Sequence, residues 1–162
     1  MKELKRIFFI CILFIIIVSY LQSQNIDKKT VQQIMNEFDL LYDKKSIFRR
    51  DNIDFNGYSS QGGILYSYYN GSILQFLTLY LYSERGKTEL RIYPIEKKLI
   101  FLTKIESFYE GSIFEEPVNI SRKEEKNFII EDKTEYDVTS DIKIIDTNYL
   151  IELITKIFQT IK

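Results

Sequence analysis

From Ile64 onward apolar residues tend to recur at every second position, and short polar punctuation interrupts the pattern at regular intervals. A period of two is the signature of strands, because successive side chains point to opposite faces of a pleated chain. Four such stretches follow one another: ILYSYY (64–69), SILQFLTLYLY (72–82), TELRIYP (88–94) and KLIFLTKIESFY (98–109). They are rich in the β-branched and aromatic residues that suit a pleated, half-buried surface. Asn70-Gly71 between the first two is the dipeptide that type I′ hairpins favour, since both central positions need positive φ. SERGK (83–87) and IEKK (95–98) fit the next two turns. Connections this short can only join antiparallel neighbours, so the stretch predicts a β-meander. Within the third strand Thr88, Leu90 and Ile92 face one way and Glu89, Arg91 and Tyr93 the other. That alternation predicts a sheet with one face on a core and one wetter face.

Helical spacing flanks the meander. DKKTVQQIMNEFDLLYDKK (27–45) sets Val31, Ile34, Met35, Phe38, Leu41 and Tyr42 on one stripe, with Asp27 as N-cap. DTNYLIELITKIFQTIK (146–162) does the same with Leu150, Leu153, Ile154, Ile157, Phe158 and Ile161, capped by Asp146 or Thr147. Its many Ile and Thr residues leave a strand as the alternative there. Residues 110–127 carry charges, a proline and no period, and read as a loop, whereas 128–145 reads as a short strand pair. The fold class expected is α+β: an N-terminal helix, an antiparallel β-meander of four to six strands and a C-terminal helix.

The chain opens on Lys2, Lys5 and Arg6, followed by twelve unbroken apolar residues, Ile7 to Val18, and then by polar ones. A membrane span needs about 20 apolar residues. A basic start, a short apolar core and a polar exit instead predict a secretory signal peptide over residues 1–24, cleaved near Ser23 to Asn25. An uncleaved anchor is the alternative, and would be the chain's one link to a membrane. Residues 25–162 then form a single domain, exported to the periplasm or beyond the cell. Cys11, the lone cysteine, lies within the apolar core, so the mature domain has no thiol. It must hold together by its hydrophobic core, for which about 140 residues suffice.

The mature domain has 19 basic and 22 acidic side chains, a net charge of −3, and the chain has no histidine. Nucleic acid, which demands a basic footprint, is excluded as a partner. Without imidazole or thiol, Ser-His-Asp and Cys-His nucleophilic mechanisms and Cys/His zinc sites are excluded too. An enzyme built on this chain would have to use carboxylates, Lys, Tyr or an oxygen-ligated metal.

Three groups of residues are candidates for a site. In DNIDFNGYSSQGG (51–63), Asn52, Asp54, Asn56 and Gly57 have the spacing that opens a calcium loop. Gly63 falls where a bidentate Glu belongs and only one carboxylate is present, so the turn reading is preferred, and no metal or cofactor is expected. Glu84, Glu89, Glu106, Glu110, Glu115 and Glu116 cluster in the sheet region, where a glycosidase would need two converging carboxyls. With 22 acidic residues such clusters arise by composition alone, and ion pairs to Lys87, Arg91 or Lys104 account for them. The tyrosines are the most unusual feature, and those of the wetter face, Tyr66, Tyr68, Tyr80, Tyr82 and Tyr93, are the candidate binding residues. Tyrosine offers large contact area at low entropic cost. Asn70 and Asn119 also head N-x-Ser acceptor sequences, but the hairpin explains the first, and in a bacterial protein neither would count.

Residues 59–116, from SSQGGILYSYYNG through SERGK and KLIF to FYEGSIFEE, resemble a group of small exported proteins of Bacteroidetes. These share a Glu-Gly-Gly-like start, a Gly-Glu-x-Gly-Lys-like turn, a Lys-Leu-Ile-Phe strand and a Phe-Tyr-x-x-x-Ile-Phe-like segment. Here Gln61 precedes Gly62 and Gly63, and Ser83 stands where glycine is usual before Glu84. The resemblance implies an exported bacterial protein and brings no catalytic residues with it. The expected function is a non-catalytic module that binds a protein or glycan through its sheet. A carboxylate-dependent hydrolase and an envelope structural or protease-inhibitor protein are the alternatives.

Overall fold

The structure, a computed structural model, describes residues 28–111, 119–145 and 148–161. The expected signal peptide, residues 1–24 with Cys11, the expected caps Asp27, Asp146 and Thr147, and residues 112–118 of the expected loop lie outside them. Helix α1 spans Lys28–Asp43 and buries Val31, Ile34, Phe38 and Tyr42, a spacing of three and four that keeps them on one stripe. A single 3-10 turn, Lys45–Ile47, leads into the sheet. Eight strands follow: β1 (Arg49–Asp54), β2 (Gly63–Asn70), β3 (Ile73–Ser83), β4 (Gly86–Glu96), β5 (Leu99–Tyr109), β6 (Ile120–Glu131), β7 (Thr134–Asp137) and β8 (Lys143–Ile145). Helix α2, Tyr149–Thr160, closes the described chain. Strand order in space is strand order in sequence, and every pair is antiparallel. None of the described helices is long and apolar enough to cross a membrane.

The α+β class and the meander stand as expected, but the sheet has eight strands and not four to six. One addition is β1, RRDNID, which is exposed along its whole length and so carries no apolar alternation to read. It is held by the ladder to β2, from Arg49↔Tyr69 to Asp54↔Ile64. The expected loop 110–127 is likewise strand from Ile120 onward. Its charged residues pair with β5, Arg122 with Phe108 and Glu125 with Ile105, through backbone bonds that are indifferent to side-chain polarity.

Both faces of the sheet carry a core, where one wetter face was expected. Leu77, Ile92, Leu102 and Phe128 line up across β3 to β6 and pack with Leu150, Leu153, Ile154 and Ile157 of α2. Their neighbours in sequence, Phe76, Tyr93, Phe101 and Ile129, point the other way and meet Val31, Ile34, Phe38 and Tyr42 of α1. Phe38 is the centre of that second layer. Its ring stacks on Tyr93 at 5.3 Å and meets Phe76 and Phe101 edge-on at 6.0 and 5.8 Å.

Turn chemistry departs in one place from the sequence reading. Asn70 pairs with Ile73, so the loop is Gly71-Ser72, and Gly71 alone has positive φ, +60°. Glycine at the first central position is the type II′ arrangement. The type I′ signature occurs instead at Asp132 and Lys133, with φ of +47° and +73°. Gly63 is required for a different reason: a Cβ there would lie 2.5 Å from the Tyr80 carbonyl oxygen and 3.1 Å from that of Phe55.

Helix α2 is capped from the sheet. Asn148 at its N-cap makes no side-chain bond to the helix. The backbone N–H of Leu150 donates instead to the carboxyl of Glu135 on β7. Glu135 is 3% exposed, and its Oε2 has no protein partner. Burial pushes its pKa above the ordinary 4.5, with the Leu150 bond acting the other way. A carboxyl that holds its proton more tightly folded than unfolded contributes its stability below the unfolded pKa and loses it as pH rises through the folded one. The urea midpoint is therefore expected to fall between pH 4.5 and neutrality, and Glu135→Gln, which keeps an acceptor and cannot ionise, to flatten that fall. Gly63→Ala is expected to cost about 1–3 kcal/mol in the same measurement, because backbone atoms must move to admit its methyl group.

Candidate functional site

Helix α1 is shorter than the sheet face it covers. It ends at Asp43, and no other described helix lies over the part of that face beyond Tyr42. Alternation brings one set of side chains to this uncovered part: Tyr66 from β2, Tyr80 and Tyr82 from β3, and Lys87, Glu89 and Arg91 from β4. The registers Tyr66↔Thr78, Thr78↔Arg91, Tyr80↔Glu89 and Tyr82↔Lys87 set them side by side.

Glu89 is the node of the patch. It is buried, and its Oε1 accepts from Arg91 Nε at 2.7 Å and from the Tyr42 hydroxyl at 3.1 Å. The Arg91 guanidinium also lies 4.2 Å from the Tyr42 ring centroid. Three polar groups thus lock the last turn of α1 to β4 and fix the border of the open surface. Around it the rings are arranged edge to face, Tyr66 to Tyr80 at 5.9 Å and 77°. Cations stand over them: Arg50 is 5.0 Å from the Tyr66 centroid and Lys87 is 5.0 Å from that of Tyr80. Burial, then the Glu89 carboxylate, pushes the Tyr80 hydroxyl well above the usual phenol range, and burial raises Tyr82 as well. Both are neutral hydroxyls at any physiological pH. Beneath them Thr78 is wholly buried, with an Oγ1 that has no partner in the protein.

Of the five tyrosines singled out in the sequence, three belong to this patch and two do not. Tyr66, Tyr80 and Tyr82 remain partly exposed. Tyr68 is buried and stacks on Phe76 at 4.3 Å, and Tyr93 stacks on Phe38. Tyr68 is thus taken up by packing under α1, and Tyr93, partly exposed, is stacked against that helix, whose cluster Tyr66 also touches. Asn52 and Asp54 are exposed residues of the extended strand β1, opposite Tyr66 and Ile64, and Asn56 follows the strand end. Among the described residues no three acidic side chains gather into a group that could hold a metal ion. Of the six candidate glutamates, Glu115 and Glu116 lie outside the described residues. Glu89 and Glu106 sit on opposite faces, since Glu89 pairs with Ile105, and Glu106 bonds Lys104 at 3.0 Å.

Sequence reasoning passed over Tyr42, Arg50, Lys87, Glu89 and Arg91 as members of one site. A signal for two of them exists, because Glu-x-Arg within a strand sets both side chains on one face. Tyr42 and Arg50 arrive from other elements and leave no such trace. Comparisons with protein families, with curated proteins and with solved structures find no match to the chain.

Removing the node should expose its role. Glu89→Ala is expected to lower unfolding free energy by about 2–3 kcal/mol, because it strands a largely buried guanidinium. Tyr42→Phe deletes one hydrogen bond and is expected to cost about 1 kcal/mol. The two losses should add incompletely in a double-mutant cycle read by urea unfolding.

Proposed function

We propose that this is an exported, non-catalytic binding module whose partner docks on the sheet face beyond α1, through Tyr66, Tyr80 and Tyr82. The observation that carries this reading is a half-open aromatic surface on a rigid support. Its rings are clamped by cross-strand contacts and bordered by the Tyr42–Glu89–Arg91 node. Tyrosine and arginine dominate the energetic centres of protein interfaces, because they bring area and hydrogen bonds at small entropic cost. A protein partner is favoured over a glycan for one reason. A sugar stacks on an open ring face, and Arg50 and Lys87 stand over Tyr66 and Tyr80. Export is supported by the basic and apolar start of the chain and by the resemblance to exported proteins of Bacteroidetes. Against a hydrolase reading, Glu89 is engaged by Arg91 and Tyr42, and Glu106 lies across the sheet.

Affinity capture with the mature chain, from envelope and culture-supernatant fractions, is expected to enrich one protein that Tyr80→Ala/Tyr82→Ala does not retain. Calorimetry with the purified pair should then show at least a tenfold loss in that variant, the effect of truncating an interface centre worth about 2 kcal/mol. Equal retention by the double variant, with its melting temperature unchanged, removes this face from binding. Enrichment of a polysaccharide in place of a protein would transfer the surface to a glycan.

A further inference from the structure

The opposite face of the sheet holds a second feature, independent of the tyrosine patch. Between α2 and the ends of β5 and β6 lies an open groove of about 720 Å³. Its floor is mainly apolar, Ile100 and Ile130 from the sheet and Ile151, Ile154 and Phe158 from the helix, with Thr155 and Gln159 of that helix lining it as well. One end is bounded by two tight turns that bring three lysines to the groove, Lys97 and Lys98 from the β4–β5 turn and Lys133 from the β6–β7 turn. Lys133 stands in that turn with a left-handed backbone, φ +73°. Lys98 is neutralised by Asp132, which also holds its pKa above the ordinary value. Lys97 and Lys133 have no acidic partner among the described residues.

An apolar trough that ends in two uncompensated ammonium groups is complementary to one kind of small molecule. It must have a flexible hydrocarbon body to cover the isoleucines and a single anionic head to meet the lysines. We propose that this groove binds a long-chain fatty acid, its alkyl chain along Ile151, Ile154 and Phe158 and its carboxylate between Lys97 and Lys133. The volume lies within the range of small-molecule sites, which are mostly apolar with a few placed polar groups. Burial of the chain, methylene by methylene, would supply most of the affinity. The lysines would set the orientation and the preference for an acid, since exposed charge pairs are individually weak.

Palmitate, below its aggregation concentration, is the probe, titrated onto the full chain by displacement of a fluorescent fatty acid. Saturable one-to-one binding in the micromolar range is expected, with hexadecanol bound at least fivefold more weakly. Lys97→Ala/Lys133→Ala is expected to weaken palmitate at least fivefold, leave hexadecanol unchanged and so abolish the preference. Ile151→Glu, at a partly exposed position of the helix, is expected to prevent binding of both, with thermal unfolding recorded to show that the variant is folded. Failure of palmitate to bind saturably, equal binding of acid and alcohol by the native chain, or undiminished binding by a folded Ile151→Glu variant would each overturn the proposal.

Discussion

A sheet that is apolar on both faces must be covered twice, and this requirement shapes the molecule. Leu77 and Phe76, Ile92 and Tyr93, and Leu102 and Phe101 are sequence neighbours that point to opposite sides, and each side is packed. Two amphipathic helices that flank the sheet in sequence meet the demand, one on each face. The meander between them has no crossover, so α1 and α2 reach opposite faces without the chain threading itself. Fully burying one such side chain contributes about 1.5–3 kcal/mol, which makes the paired apolar layers the dominant stabilising element. Disulfide and metal are not needed to explain the stability of a domain with this much core.

The same geometry creates the open surface. Sixteen residues of helix cannot span an eight-stranded sheet, so α1 shields the region around Phe76 and Phe101 and stops. Past that point the strand residues keep their inward-facing period but lose their cover. Tyrosine tolerates this border, since one part of its ring can pack while the hydroxyl reaches water. The change from Tyr93 and Tyr68 to Tyr66, Tyr80 and Tyr82 is therefore a change of position relative to one helix end, not of residue type. Glu89 marks the line. It is buried enough to need partners, and it finds one in the sheet and one in the helix.

Much of the fold could be read directly from residue order. Period-two alternation from Ile64 to Tyr109 and the short polar connections identify β2 to β5 nearly to the residue. The stripes through Val31–Tyr42 and Leu150–Ile157 identify both helices. What escaped was strand held by backbone alone. β1 and the first half of β6 have polar, solvent-facing side chains, and their ladders to β2 and β5 are invisible to any hydropathy pattern. The II′ turn at Gly71 escaped for a related reason: Asn70-Gly71 is compatible with two registers, and the pairing of Asn70 with Ile73 decides between them.

Sequence by itself determined which side chains alternate, where the chain turns and which chemistries are excluded, because these follow from local geometry and from residue inventory. A chain without histidine has no imidazole mechanism in any fold, and residues 25–162, which hold no cysteine, have no thiolate mechanism. Tertiary structure alone decided which tyrosines are packed and which are open, because that depends on where α1 ends above strands distant from it in sequence. It also decided that Glu135 of β7 caps α2, and that lysines of two separate turns meet at one groove. These are contacts between residues far apart in sequence, and no local pattern records them.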